Sequence, residues 1–242
     1  MPLVEFREVS YEIGGRTILA GVSFSVETGE TLVLLGRSGS GKTTALKMTN
    51  GLLFPTKGQV LVEGKSTRDW DPIRLKRHIG YVIQEVGLFP HFTIARNVGL
   101  VPMLEGKPDA ARVDRLLDMV GLPAAEFRER YPRQLSGGQR QRAGVARALA
   151  AEPTLLLFDE PFGALDPVIR LELQDQFLKL RQDLNTTSIF VTHDIREAMR
   201  IGTRIILLAN GKVDCTAPAA EFRSADSEEA CAFLRGYLPE IE

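Results

Sequence analysis

Thiol chemistry has almost no place in this chain. Cys215 and Cys231 are its two cysteines, too few and too late in the sequence for a disulfide framework, which fits a cytosolic protein with reduced thiols. Net charge is nearly absent as well: 30 Lys and Arg against 31 Asp and Glu leave −1. The local basic runs are interleaved with acids, so no field favours sequence-independent nucleic-acid binding. No apolar run approaches the ~18–20 residues of a membrane span; the longest, around Leu155–Phe158 and Ile205–Ala209, have the length of buried strands. Acids interrupt the start from Met1 to Glu8, so no signal peptide is expected there. Repeats and low-complexity segments are lacking too. What is present is ordinary globular material, 242 residues with 44% hydrophobic and 25% charged, enough for one substantial core or two modest lobes.

The first third alternates in short runs. Val22, Phe24 and Val26 oppose Ser23 and Ser25 along one strand, and Val4, Phe6 and Val9 mark another, with Gly14-Gly15 turning the chain between them. Gly58–Gly64 adds a third, giving a small antiparallel layer. Thr31–Leu35, Leu155–Phe158 and Ser188–Thr192 are nearly continuous apolar runs, as expected of parallel strands covered on both faces. Helical segments separate them, so the fold class is α/β. Val113, Leu116, Leu117 and Val120 form one helical stripe that Gly121 stops. The stretch from about Leu88 to Gln134 is expected to be an inserted helical lobe, and Asn210-Gly211 a type I′ hairpin turn.

Gly36-Arg37-Ser38-Gly39-Ser40-Gly41-Lys42-Thr43 fits the phosphate-loop pattern G-x-x-x-x-G-K-[ST]. Glycines let the backbone fold tightly enough to aim successive N–H groups at phosphate oxygens. Lys42 brings positive charge to the β- and γ-phosphates, Thr43 offers a hydroxyl to Mg²⁺, and Thr44 continues into a helix whose positive end adds to the anion site. The pattern predicts Mg²⁺–ATP binding. Asp159 and Glu160 follow the buried run Leu155–Phe158, at the strand edge where α/β sheets hold ligands. Asp159 is the candidate Mg²⁺ holder and Glu160 the candidate polariser of the attacking water; alone, such a pair could equally open a solvated loop. Leu135-Ser136-Gly137-Gly138-Gln139 leads into a helix-compatible run. Ser136 reads either as a helix cap or, with its open glycines, as part of a second anion site.

With these motifs in hand, the chain resembles the nucleotide-binding subunit of an ATP-binding-cassette transporter, from about Val4 to Ala217. Leu135–Gln139 matches that family's signature. The resemblance implies a single domain over residues 1–242, a phosphate-loop NTPase core with a mostly parallel sheet, an N-terminal antiparallel β layer and a helical subdomain over about 88–134. It implies a short tail over about 218–242 without regulatory domains. It further implies a head-to-tail dimer, with itself or a paralogue, in which Gly36–Thr43 of one subunit faces Ser136, Gly137, Gly138, Gln139 and Asp166 of the other. Tyr11 matches the aromatic that stacks on adenine, with a strand aromatic in the core as the rival reading. Gln84 matches the loop glutamine that reaches Mg²⁺ and the attacking water, and His193 the histidine on the γ-phosphate. Asp166 lies in the interface loop Ala164-Leu165-Asp166 and before Pro167 is also a good N-cap. Gly163 stands where Ser is commoner in the family.

Without a membrane segment of its own, the chain is expected to act peripherally at the cytoplasmic face through separate permease subunits, supplied by a periplasmic or extracellular solute-binding protein. The segment Lys76–His91 is similar to importers of quaternary amines such as glycine betaine, choline and carnitine. An importer of amino acids or another small polar solute is the rival. A DNA-repair or chromosome ATPase of the superfamily would carry a long coiled coil and a translation factor two cassettes; neither is present. Glu160 and His193 argue against a non-hydrolysing switch.

Overall fold

The structure, a computed structural model, describes residues 1–84, 86–163, 165–184 and 186–237. Two compact units divide it, one built from Met1–Lys76 and the stretch from Thr187 onward, the other from Arg77–Thr186.

The first unit begins with β1 (Val4–Ile13) and β2 (Arg16–Val26), a hairpin turning on Gly14 and Gly15. Val4, Phe6 and Val9 are all buried although their spacing breaks strict alternation. A bulge between Phe6 and Val9 absorbs the odd residue, with Glu8 at φ 48°. Ser23 secures it: the Glu8 N–H donates to Ser23 Oγ and the Ser23 hydroxyl donates to Glu8 Oε1, both at 2.9 Å. β3 (Thr31–Leu35) is buried at every residue and leads toward α1 (Lys42–Thr49). β4 (Lys57–Val62) and β5 (Lys65–Ser66) complete an antiparallel layer in the order β2-β1-β4-β5, and α2 (Pro72–His78) follows.

The second unit starts with β6 (Ile79–Val82). The elements from there to Gln134 are helical among the described residues: α3 (Ile94–Val98), α4 (Leu100–Leu104), α5 (Ala110–Met119), α6 (Ala124–Phe127) and a 3₁₀ turn (Pro132–Gln134). In α5 the stripe Val113, Leu116 and Leu117 is buried. Asp109 caps its start by accepting the Arg112 N–H at 2.8 Å, and Gly121 at φ 71° ends it while the Leu122 N–H reaches back to the Leu117 carbonyl at 2.9 Å. Then come α7 (Gly137–Leu149), β7 (Leu155–Asp159) and α8 (Pro167–Leu184). β6 and β7 pair in parallel, Ile79 opposite Leu155 and Val82 opposite Phe158. The compact unit exceeds residues 88–134 because α3 and α5 pack on α7 and α7 packs on β6. At that last contact a Cβ on Gly80 would lie 2.5 Å from the Ala148 carbonyl oxygen.

The chain returns to the first unit with β8 (Thr187–Thr192), α9 (Ile195–Ile201), β9 (Arg204–Ala209), β10 (Lys212–Pro218) and α10 (Glu228–Tyr237). β3 lies parallel between β8 and β9, while β10 runs antiparallel to β9. Asn210 and Gly211 take φ 49° and 76°, the pair of left-handed residues that a type I′ turn requires. No helix among the described residues is long and apolar enough to cross a membrane.

Asn97 shows how the helical part is fastened. Fully buried, it accepts the Phe89 N–H at 2.7 Å and donates to the carbonyls of Phe89, Phe92 and Thr93 at 3.1, 3.2 and 3.0 Å. Asn97→Ala leaves those buried groups without partners, so it should cost roughly 2–4 kcal/mol in denaturant unfolding. A loss below about 0.5 kcal/mol, the range of a surface substitution, would show that the loop is held by other means.

Candidate functional site

The phosphate loop is shaped by close packing at two of its glycines and by the side chain of Lys42. A Cβ on Gly36 would lie 2.4 Å from the Leu208 carbonyl and 2.6 Å from Ser40 Oγ. One on Gly41 would lie 2.5 Å from Leu19 Cδ2, and Gly41 also holds φ 102°. Gly39, at φ 83°, has nothing within 4 Å and faces open space. The Lys42 ammonium closes the loop from inside, donating to the carbonyls of Gly36 and Arg37 at 2.8 and 2.9 Å, with the residue only 4% exposed. Ser40 Oγ is buried without a hydrogen-bond partner among the described residues. An orphaned hydroxyl beside a buried ammonium fits an anion that brings its own oxygens. Arg37, Ser38 and Gly39 are exposed, whereas Thr43 and Thr44 sit half-buried in the first turn of α1.

Tyr11 is half-exposed on β1, opposite Leu19, the residue that backs Gly41. That half-exposure leaves it available for stacking and disfavours the core reading. His193 follows β8 and is exposed, lining with Arg37, Ser38 and Phe233 an open cleft of about 320 Å³. The sequence gives no sign of α10's part in this cleft. Glu229 accepts Arg37 Nε–H at 2.6 Å across 192 residues of sequence, and the Arg37 guanidinium lies 6.0 Å from the Phe233 ring centroid.

In the second unit, β6 and β7 are parallel, so Gln84 and the pair Asp159–Glu160 leave the same end of that ladder. Gln84 is exposed. Asp159 is 7% exposed, and its Oδ2 accepts the Tyr81 hydroxyl at 3.2 Å. Burial, then the neighbouring carboxylate, raise the Tyr81 pKa, so this group stays a proton donor to Asp159. Sequence reasoning missed Tyr81, whose place in an apolar strand run suggests only core. Glu160 holds φ 46°, rare for a residue with a side chain and costing on the order of 1–3 kcal/mol. At Gly163 a Cβ would meet the Glu160 carbonyl at 3.6 Å, ordinary contact, so packing does not force glycine there. Among the described residues no group of three or more His, Cys, Asp or Glu could hold a metal by itself. Oxygen donors of the kinds that Thr43 and Asp159 each carry, a hydroxyl and a carboxylate, are those a hard cation such as Mg²⁺ takes beside phosphate oxygens.

Ser136 caps α7, the first of its two readings. Its Oγ accepts the Gln139 N–H at 3.2 Å while Gln139 Oε1 accepts the Ser136 N–H at 2.9 Å, a capping box. Its two glycines differ in purpose. A Cβ on Gly138 would lie 2.7 Å from Ile169 Cγ2, so that glycine lets α8 approach; on Gly137 it would meet only Leu165 Cδ2 at 3.6 Å, and Ser136 and Gly137 stay exposed. Asp166 caps α8, accepting the Ile169 N–H at 3.0 Å ahead of Pro167. Ala164 of the same loop and Glu85 beside Gln84 lie outside the described residues, as does the end of the tail from 238 to 242.

A sequence model of the ABC transporter family matches residues 19–163. The chain belongs to that family. This cassette is 47% identical over 202 residues to the glycine betaine/carnitine/choline transport ATP-binding protein OpuCA of Bacillus subtilis, covering 83% of the chain and 53% of that protein. It is 50% identical over 201 residues to the osmoprotectant import ATP-binding protein OsmV of Salmonella typhimurium, covering 81% and 53%. The cassette thus spans about half the length of these relatives. Among solved structures, an ATP-binding cassette captured as a dimer in a post-hydrolysis state with ADP and Pi superposes with TM-score 0.79 at 34% identity, covering 89% of this chain and 98% of that one.

The contrast between the signature glycines can be measured by thermal unfolding. Gly138→Ala should destabilise the cassette by about 1–3 kcal/mol through overpacking against Ile169. Gly137→Ala should stay within about 0.5 kcal/mol of the parent. Equal losses would mean that α7–α8 packing does not select glycine at 138.

Proposed function

We propose that the chain is the ATP-hydrolysing subunit of an ABC importer for a quaternary amine such as glycine betaine, choline or carnitine. It works as a dimer at the cytoplasmic face of the membrane, through separate permease subunits fed by a solute-binding protein. The observation that carries the ATPase reading is the phosphate loop, closed by a buried Lys42 around an orphaned Ser40 hydroxyl. In this reading Gly36 to Gly41 cradle the phosphates, Lys42 follows the charge onto the β- and γ-phosphates, and Thr44 lies in the first turn of α1, the helix whose dipole faces them. Tyr11 stacks on the adenine, and its half-exposed position supports that role. His193 contacts the γ-phosphate. Glu160 polarises the attacking water, a role supported by its fixed left-handed backbone, and Gln84 orients that water. Thr43, Asp159 and Gln84 would hold Mg²⁺, which when bound neutralises charge developing on the phosphates. Ser136, Gly137, Gly138, Gln139 and Asp166 serve the nucleotide of a second subunit; the exposure of Ser136 and Gly137, and a dimeric relative in the post-hydrolysis state, support this.

ATP binding closes the dimer and turns the permease outward; hydrolysis and release reset it. The energy comes from the tighter ATP affinity of the closed state. The solute is inferred from the printed functions of OpuCA and OsmV.

Glu160→Gln should retain MgATP affinity and lose at least about a hundredfold in turnover, whereas Lys42→Ala should lose nucleotide binding itself. Undiminished turnover in the first or undiminished binding in the second would contradict the assignments. With its permease and binding protein in vesicles, ATP turnover should rise with glycine betaine, choline or carnitine. A rise with amino acids alone would overturn the solute assignment.

A further inference from the structure

The loop after Gln84 is gripped from the helix that the signature opens. Arg147 lies about three turns along α7. Its Nη1 donates to the Gly87 carbonyl and its Nη2 to the Val86 carbonyl, each at 2.6 Å. One planar fork on two consecutive carbonyls fixes both the place and the direction of that segment, which a single-point ammonium could not do. The segment needs holding. Val86 and Gly87 take φ 58° and 57° in succession, and a β-branched residue seldom enters that region. Such backbone persists only where its surroundings impose it.

Packing reinforces the grip. A Cβ on Gly144, one turn before Arg147, would lie 2.6 Å from Val86 Cγ1. A Cβ on Gly87 would lie 2.6 Å from Ile83 Cδ1, and the Val86 N–H donates to the Ile83 carbonyl at 3.0 Å. Gln84 is thus bracketed: Ile83 and Val86 are tied to each other, and Val86 and Gly87 are tied to α7, while the Gln84 side chain stays exposed. All of these residues belong to the second unit, as do Asp159 and Glu160, which leave the same end of the β6–β7 ladder.

We infer that Arg147 is a positioning residue for hydrolysis: by holding the Val86 and Gly87 carbonyls it presents Gln84 at the strand ends that carry Asp159 and Glu160. The inference rests on the reading of Gln84 given under Proposed function. A merely structural arginine would affect stability and turnover regardless of what residue 84 is. An arginine acting through Gln84 loses its effect when the glutamine is gone.

A double-mutant cycle on the full chain separates these, reading kcat for ATP, MgATP affinity and thermal midpoint. Arg147→Lys keeps the charge but cannot bridge both carbonyls. It should leave MgATP affinity within about twofold and lower kcat about tenfold, yet add less than about twofold in a Gln84→Ala background. Gly144→Ala displaces Val86 with Arg147 intact, and should repeat the pattern; it carries the same cycle should Arg147→Lys fail to fold. Undiminished kcat in both variants, or full additivity with Gln84→Ala, would overturn the inference alone. Undiminished kcat in Gln84→Ala by itself would overturn the reading of Gln84 and the inference with it.

Discussion

The Lys42 ammonium, buried between the carbonyls of Gly36 and Arg37, is the contact on which the arrangement of the first unit depends. A buried cation must be matched by oxygens. Here the backbone supplies them, and the loop has to curl tightly enough to bring both carbonyls to one nitrogen. That curl leaves no room for a Cβ at Gly36 against Leu208, or at Gly41 against Leu19. β2, β9 and the start of α1 are therefore all pressed against one loop of eight residues, Gly36–Thr43. The loop is preformed for an anion, because the ammonium already sits where its charge will be used.

The second unit is organised around α7. Its first turn carries the Ser136 capping box and is thinned at Gly138 for Ile169, its middle is thinned at Gly144 for Val86, and its far end holds Arg147 on the glutamine loop. One rigid helix thus bears both the exposed signature and the support of Gln84. In the proposed mechanism these two features serve different nucleotides, the signature that of a second subunit and the glutamine loop that of its own chain. A helix joining them is a physical means by which each could bias the other.

Much of this is legible in the sequence where local rules decide. The phosphate loop, the I′ turn at Asn210-Gly211, the α5 stripe with its Gly121 stop and the caps at Ser136 and Asp166 all follow from short-range chemistry. Contacts between distant residues leave no such trace. Glu229 is one acid among several in the last stretch, and only the fold brings it to Arg37. Tyr81 sits in an apolar strand run and looks like core until β6 pairs with β7 and points its hydroxyl at Asp159. The positive φ at Glu160 and Val86 is equally invisible, since neither residue type favours it and the surrounding packing imposes it. The same limit applies to the two glycines of the signature, which read alike in sequence and differ only in what stands opposite.

The central claim is that each chain supplies half of two ATP sites, and mixing two defective chains tests it most directly. In a Glu160→Gln background that stops turnover, one chain carries Lys42→Ala and the other Ser136→Arg. Neither alone can assemble an intact site, but a mixed dimer pairs the sound phosphate loop of one with the sound signature of the other. The account predicts that the mixture retains tightly held ATP while each parent retains none. Retention by the Ser136→Arg chain alone, or none in the mixture, would contradict it.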